Sequence, residues 1–473
     1  MKILFVLPYR NDGLEPLGLL YLAGAAKRAG HDVRAVPPSK RALARMVPLF
    51  EPDVLAYSVI TGLHRSYLDL NRWAKATLAP QVLSVFGGPH PTYFPDMIHE
   101  EGVDAICLGE GEAALVDLLG RLENGDDPDA TRNWWVKQDG TLSRNPLRPE
   151  TQDLDDLPFP DRSLLRPFRG HINRNLRSFV ASRGCAYDCS YCFNHAYRQM
   201  YHEAGLTTRV RLRSVENLVA EIEQVRRDHG MRSIAFFDDV LVASTAWLEL
   251  FAQQYRQRIG LPFECNLRVE QTNRQSLALL KEAGCAIIAI GIEVADERTR
   301  TELLRRRYTN DQVAHACAKV KEHGILLKTF NILGLPPGHL EADLDTLALN
   351  CALKVDLPSA SVFQPYPGTD LGEKARKEGY WAGDVDSIPA GFYDLSLLTL
   401  KDKAQIEVLR ALFFVSCKLG GAKPVLSLCL SLARFRPARW ALLALCRAAN
   451  RLMYLAGQNV PMAEDVRRFL LRS

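Results

Sequence analysis

The most reactive stretch of this sequence is Arg183-Gly184-Cys185-Ala186-Tyr187-Asp188-Cys189-Ser190-Tyr191-Cys192, which spaces three thiols as C-x3-C-x2-C. Thiolates are soft donors that suit iron–sulfur clusters and zinc. Three ligands on one tight loop can hold three irons of a cubane and leave the fourth iron without a protein ligand. That open corner could bind and reduce an organic molecule. The competing reading is a structural zinc site closed by His195, which follows at C-x2-H spacing. Context weighs against zinc, because the loop follows the first strand of a long βα series rather than sitting in a small ribbon. The other eight cysteines are scattered, mostly on apolar helix or strand positions, and read as core residues.

The elements that must carry this loop begin near Leu176. Strands are expected at Ser178–Ser182, Ile234–Phe237, Phe263–Leu267, Ala286–Gly291, Leu327–Leu333 and Ala360–Gln364, with helical patterns between them. One of those helices opens with a capping box from Thr309 to Gln312. Six successive βα units imply a parallel curved sheet or partial barrel, with its working loops at the strand C-termini.

An earlier βα series fills residues 1 to 125. Its strands, Lys2–Leu7, Asp32–Val36, Val54–Ser58, Val82–Phe86 and Ala105–Leu108, are short, continuous and apolar, as strands buried on both faces are. Leu17–Ala29 between them is amphipathic and stops at Gly30. The fold class is therefore α/β, opening with a five-stranded doubly wound, Rossmann-like domain. Residues 126–168 read as a linker, acidic and proline-containing, partly ordered around Trp134 and Trp135. Residues 169–387 form the barrel, and 388–473 a helical region with segments at Lys401–Leu419, Val425–Arg434 and Ala438–Leu455.

C-x3-C-x-Φ-C, with Tyr191 as the aromatic Φ, resembles the cluster motif of the radical S-adenosylmethionine superfamily. The flanks match as well: Ser182 to Cys185 as lead-in, Phe236-Phe237-Asp238-Asp239, Ala283 to Cys285, Gly291 to Glu293, Leu333-Gly334-Leu335-Pro336 and Pro367-Gly368-Thr369. The resemblance covers roughly residues 170 to 380. It implies a [4Fe-4S] cluster on Cys185, Cys189 and Cys192, S-adenosylmethionine as cofactor, and an external one-electron reductant such as flavodoxin or ferredoxin. It further implies that Tyr191 packs near the adenine and that Asp238 or Asp239 accepts from the methionyl ammonium or a ribose hydroxyl. Glu293 and Arg268 are further contacts on the same grounds. Each has another reading: Asp239 as a helix cap, Arg268 as an ion-pair partner. Two positions depart from the family pattern, Val294 after Gly-Ile-Glu and Pro337-Gly338-His339-Leu340 in place of Pro-Gly-Glu-Thr.

In the first domain, glycine-bearing turns stand where a doubly wound fold places ligands: Gly13 and Gly18, then Ser58, Thr61 and Gly62, then Gly87, Gly88 and His90, then Gly109, Glu110, Gly111 and Glu112. By themselves they suit any such domain, a nucleotide-binding one or half of a glycosyltransferase included. Set before the barrel, they resemble the cobalamin-binding domain that precedes many radical enzymes, and the resemblance implies cobalamin. The Asp-x-His-x-x-Gly motif is absent, residues 8 to 13 reading Pro-Tyr-Arg-Asn-Asp-Gly, so cobalamin here is expected to lack a histidine from that motif.

A net charge of +4 on 473 residues leaves no strong nucleic-acid footprint. No signal peptide or membrane-spanning run is apparent, and a cytoplasmic location is expected. Arg434, Arg436, Arg439, Arg447 and Arg451 interleave with leucines and Trp440. That pattern fits either a helical cap on the barrel or a peripheral contact with an anionic membrane, which would favour a lipid substrate. The family likeness implies a 5′-deoxyadenosyl radical that abstracts hydrogen from an unactivated carbon, followed by methyl transfer to a secondary metabolite or lipid. A cobalamin-containing oxidase, cyclase or ring-rearranging enzyme is the alternative, and a non-catalytic cobalamin or redox sensor a further one. A methylthio-transferring enzyme is disfavoured, since Cys107 stands alone in the first domain.

Overall fold

The structure, a computed structural model, describes residues 1–7, 14–138, 140–171, 173, 175–241, 244–389, 391, 393, 395–421 and 423–457. The chain divides into two compact units. One comprises Met1–Asn173 with Tyr197–Arg211 and Val385–Ala390; the other comprises Arg174–Ala196, Leu212–Asp384 and the chain from Gly391 onward.

The first unit is built on β1 (Lys2–Val6), β2 (Asp32–Val36), β3 (Val54–Ser58), β4 (Leu83–Gly87) and β5 (Ala105–Cys107), with helices α1 (Leu17–Arg28), α2 (Lys40–Phe50), α3 (His64–Thr77), α4 (Pro89–Tyr93) and α5 (Glu112–Asn124). These five strands pair in parallel in the order β2-β1-β3-β4-β5. Alternate residues of β1 feed two cores: Ile3 and Phe5 pack with α1 and α5, Leu4 and Val6 with α2 and α3. Double-sided burial of this kind is why β1 and β3 read as nearly unbroken apolar runs, whereas β2, at the sheet edge, departs from that expectation and exposes Asp32 and Arg34. The order reverses at β1, and ligands of doubly wound sheets bind at the strand C-termini beside such a reversal.

The five-stranded expectation falls short by two. β6 (Trp134–Gln138) and β7 (Thr141–Arg144) extend the sheet beyond β5 as an antiparallel pair, inside the stretch read as a linker. Trp134 is buried and its indole N–H donates to the Ala114 carbonyl at 2.8 Å. Trp134 and Val136 add to the core beneath the sheet, which holds the pair in place.

The second unit contains β8 (Leu176–Phe179), the short strands β9 (Ser182–Arg183) and β10 (Arg211–Leu212), then β11 (Ser233–Phe236), β12 (Phe263–Leu267), β13 (Cys285–Glu293), β14 (Leu326–Leu333) and β15 (Leu357–Val362). Six strands pair in parallel in the order β8-β11-β12-β13-β14-β15, as a partial barrel requires. The connecting helices are α7 (Val215–His229), α8 (Thr245–Arg258), α9 (Arg274–Ala283), α10 (Asn310–Glu322) and α11 (Leu340–Ala352), after α6 (Phe193–Glu203). One continuous core joins the sheet to α7, α8, α9 and α10. The capping box at Thr309 and Gln312 forms, each side chain satisfying the other's backbone N–H.

After α12 (Asp370–Lys377) come α13 (Lys403–Lys418), α14 (Lys423–Leu432) and α15 (Arg436–Gly457). Helix α13 packs on β15 and α11, and α14 and α15 pack on α13. Among the described residues no helix is long and apolar enough to cross a membrane.

Candidate functional site

The cysteine loop leaves the C-terminal end of β8 and runs into α6. Its entrance is clamped by Asp238, which lies just past β11 and is almost fully buried. The Asp238 carboxylate accepts from the backbone N–H groups of Ala181 (3.0 Å) and Ser182 and from the Ser182 hydroxyl. Burial raises its pKa to about 6 against the pull of those donors. Asp238 is therefore spent on the backbone that launches the loop, and its partners differ from those expected.

Asp239 is the carboxylate that faces the thiols. It is exposed, accepts a hydrogen bond from the Asn194 side chain, and its negative charge helps to raise the pKa values of Cys185 and Cys192. Its own pKa is raised by the surrounding protein. It caps no helix, since the start of α8 is capped by Ser244. Burial is the larger cause of the thiol shifts and takes Cys192 to about 12. Cys185 and Cys192 are thus held protonated until a metal displaces the proton.

Arg268 follows β12 and is buried. Its guanidinium donates to the Cys189 sulfur at 3.3 Å, pairs with Glu270 at 3.0 Å and lies over the Tyr187 ring, 3.6 Å from its centroid. The ion-pair reading of Arg268 holds. The residue also stands beside the thiols.

A buried polar network supports the loop at the end of β13. The Tyr191 hydroxyl donates to Glu293 Oε1 at 3.0 Å and accepts from Arg306 Nε at 3.0 Å, while Arg306 Nη2 pairs with Glu293 at 2.9 Å. Arg306 Nη1 and the Tyr308 hydroxyl both donate to the Gly291 carbonyl. Glu293 has φ +66°, a left-handed conformation that costs energy in a non-glycine residue. The pairing with β14 shifts register there. A side chain at Gly291 would have to push the Glu293–Arg306 pair aside, because a Cβ would stand 2.2 Å from Glu293 Oε1 and 2.8 Å from Arg306 Nη1. Arg306 is one residue that sequence reasoning missed. It lies within Arg305-Arg306-Arg307, a run that reads as a solvated surface.

The thiol trio fits a cubane better than a closed zinc site. His195 Nε2 faces Arg305 (3.2 Å) and Asp370 (3.3 Å), away from the role of fourth ligand. Among the described residues, no three His, Cys, Asp or Glu side chains could share a single metal ion. A cubane makes a different demand, since each thiolate takes its own iron.

In the first unit the C-terminal ends of β3 and β4 bring six of the expected residues together. The Val59 N–H donates to the Gly87 carbonyl and the His90 N–H to the Val59 carbonyl. Gly88, at φ +96°, sits so close that a Cβ would lie 3.0 Å from both Val59 N and Val59 O and 3.3 Å from Ser58 Oγ. The Thr61 hydroxyl and His90 Nδ1 are 3.1 Å apart, and the Gly62 N–H donates to His64 Nδ1. His64, which the sequence did not single out, stacks on His90 at 4.0 Å between ring centroids. His64 Nε2 is 2.8 Å from Asp386, which also pairs with Arg65 at 2.6 Å. Burial, with the neighbouring His64, lowers the His90 pKa to about 3, so the ring is neutral.

These strand ends offer hydroxyls, glycine backbone and a neutral imidazole, a lining suited to a large ligand with amide side chains. Gly18 lies in the first turn of α1, and a Cβ there would meet nothing within 4 Å. The loop 8–13, with Gly13, lies outside the described residues. The turn after β5 is committed elsewhere. Glu110 accepts from the Thr151 N–H (2.8 Å) and pairs with buried Arg211 (2.8 Å). Side chains at Gly109 and Gly111 would strike Tyr201 and Leu22. Those glycines answer to protein packing.

Comparison with known proteins agrees with both halves of this geometry. Residues 8–119 match the B12 binding domain family and residues 179–349 the Radical SAM superfamily. An uncharacterized methyltransferase of Pyrococcus horikoshii is 27% identical over 393 residues, covering 79% of this chain and 83% of its own. The anaerobic magnesium-protoporphyrin IX monomethyl ester cyclase of Rubrivivax gelatinosus is 25% identical over 399 residues, 78% of this chain and 69% of its own. Among solved structures, the radical S-adenosylmethionine methyltransferase TsrM of Kitasatospora setae shares the fold at a TM-score of 0.65 and 17% identity, covering 80% of this chain and 76% of that one. A thiol trio opening a parallel partial barrel, preceded by a B12-binding domain, makes this chain a member of the cobalamin-binding-domain radical S-adenosylmethionine enzyme family.

Proposed function

We propose that the protein is a cobalamin-dependent radical S-adenosylmethionine methyltransferase acting on an unactivated carbon of a secondary metabolite or lipid. The observation that carries this reading is the pair of opposite charges beside the thiols, Asp239 and Arg268, in a chain that also has a B12-binding domain. A molecule bearing both an ammonium and a carboxylate on one carbon fits between such groups. Asp239 accepts from the ammonium and Arg268 steers the carboxylate. Cys185, Cys189 and Cys192 hold the cluster, and Asp238 sets the backbone that aims them. Tyr191 and Glu293, locked by Arg306, form the wall toward the adenosine. In the first unit Ser58, Thr61, Gly62, Gly87, Gly88 and His90 receive the corrinoid. Gly18 leaves room for it, and Gly109, Glu110 and Gly111 shape the turn beside it.

When bound, the reduced cluster and the corrinoid supply a primary carbon radical and a methyl group. An external one-electron donor such as flavodoxin or ferredoxin recharges the cluster. The R. gelatinosus relative, a cyclase, favours a second reading in which the same machinery oxidises or cyclises its substrate without methyl transfer. Product counting separates the two. Anaerobic turnover by a methyltransferase yields S-adenosylhomocysteine beside 5′-deoxyadenosine. Deoxyadenosine alone would overturn methyl transfer and leave the second reading.

A further inference from the structure

The C-terminal helices present an apolar surface that carries none of the residues assigned to the cluster or corrinoid. Of the thirteen large hydrophobic side chains exposed in the described residues, eight fall between Val415 and Leu445. Helix α14 buries Leu426 and Leu430 on one stripe, continued by Ala433 just past its end, yet Val425, Leu428 and Leu432 form a second stripe open to solvent. Helix α15 buries Leu443 and exposes Trp440, Ala441, Ala444 and Leu445, positions that share one face. Phe435, in the turn between the helices, is 66% exposed. A surface helix of a globular protein is normally apolar on one side only. Exposed apolar area gathered in this way marks a surface that meets another phase or partner.

Charge identifies the partner. Residues 408–463 contain eight Lys and Arg and no Asp or Glu. The whole chain carries only +4, so everything outside this stretch is net acidic. Lys418, Arg434 and Arg436 are exposed beside the apolar side chains. No described helix is long and apolar enough to span a bilayer. Apolar side chains flanked by cations, on helices that cannot cross, suit the headgroup layer of an anionic membrane. There the aromatic and leucine side chains can bury while arginines meet phosphate.

We infer that α14, α15 and the C-terminal end of α13 form a docking surface for an anionic lipid bilayer. The surface brings the second unit to a membrane and puts bilayer-resident molecules within its reach. Vesicle binding reads it without turnover, so its failure is distinct from failure of the methyl-transfer reading.

The test is flotation of the full-length reconstituted protein with vesicles of phosphatidylcholine containing or lacking phosphatidylglycerol. Binding is expected with phosphatidylglycerol, weakened by salt and by the pair Arg434→Glu and Arg436→Glu. Phe435→Ser and Trp440→Ser should each lower the partition about tenfold, the worth of one large side chain leaving the apolar phase. Circular dichroism and iron content should be those of the unaltered protein. Three results overturn the inference. One is equal flotation with both vesicle types. Another is binding that appears only after removal of residues 458–473, which would make the tail the occupant. The last is a solution dimer that Leu428→Glu dissociates, which would make the surface an interface between copies.

Discussion

Around the thiol loop the gathered side chains are guanidinium and carboxylate, cross-bonded and largely buried: Arg268, Asp238, and the Tyr191–Glu293–Arg306 set. At the ends of β3 and β4 they are hydroxyls, glycine backbone and two stacked imidazoles, with charge at the outer set of Arg65, Asp386 and Glu100. Under the proposed function, the contrast follows from what each place would do. A loop that holds a redox cluster and a zwitterion needs charges fixed in advance, because a buried charge cannot be rearranged cheaply. A large ligand rich in amides asks for close backbone approach and uncharged hydrogen-bonding groups. Fixed charge there would have to be desolvated without return. One place is organised by electrostatics, the other by shape.

The contrast breaks most visibly if one thiolate is removed. Cys189→Ala should bring iron and acid-labile sulfide to background and stop cleavage of S-adenosylmethionine by a strong reductant, while corrinoid is retained. Iron that persisted at the unaltered level would disprove the ligand assignment. Next in size is Arg306→Met, which leaves Glu293 buried without its cation. Loss of about 3–5 kcal/mol is expected in urea unfolding, with much of it recovered when Glu293→Gln is added. A smaller effect, about 1–3 kcal/mol, is expected for Gly88→Ala, which forces a Cβ against Val59 at φ +96°. Corrinoid absorbance should fall with it while iron content stays.

The gentlest probe is pH, and the two units should respond on opposite limbs. His90 takes up a proton near 6.5 when unfolded but only near 3 when folded, so its contribution is complete above about 6.5 and lost as pH falls toward 3. Asp343, which accepts from the Gly334 N–H at the end of β14, has a pKa raised by burial to about 7 from 3.8. The folded chain therefore holds the extra proton, and stability falls as pH rises from about 4 to about 7. Amide exchange in β3 and β4 should quicken on the acid side and in β14 toward neutrality. His90→Gln should flatten the first limb and Asp343→Asn the second.

The sequence by itself determined the α/β class, the order of the two sheets, and the C-x3-C-x2-C trio with its Gly-Ile-Glu strand. Strand burial and ligand spacing are local properties written in consecutive residues. β2, β3 and β12 begin and end at the residues expected of them, and Thr309 with Gln312 announces α10. Tertiary structure alone decided which acidic residue serves which purpose. Adjacent Asp238 and Asp239 look alike in the chain, but one turns to the backbone of Ala181 and Ser182 and the other to the thiols. It also drew Arg306 from an arginine run into a buried network, His64 onto His90, and β6 with β7 onto the edge of the first sheet. The reason is physical. A side chain's charge and hydrogen bonds depend on what packs around it, and those neighbours come from residues up to a hundred or more positions away.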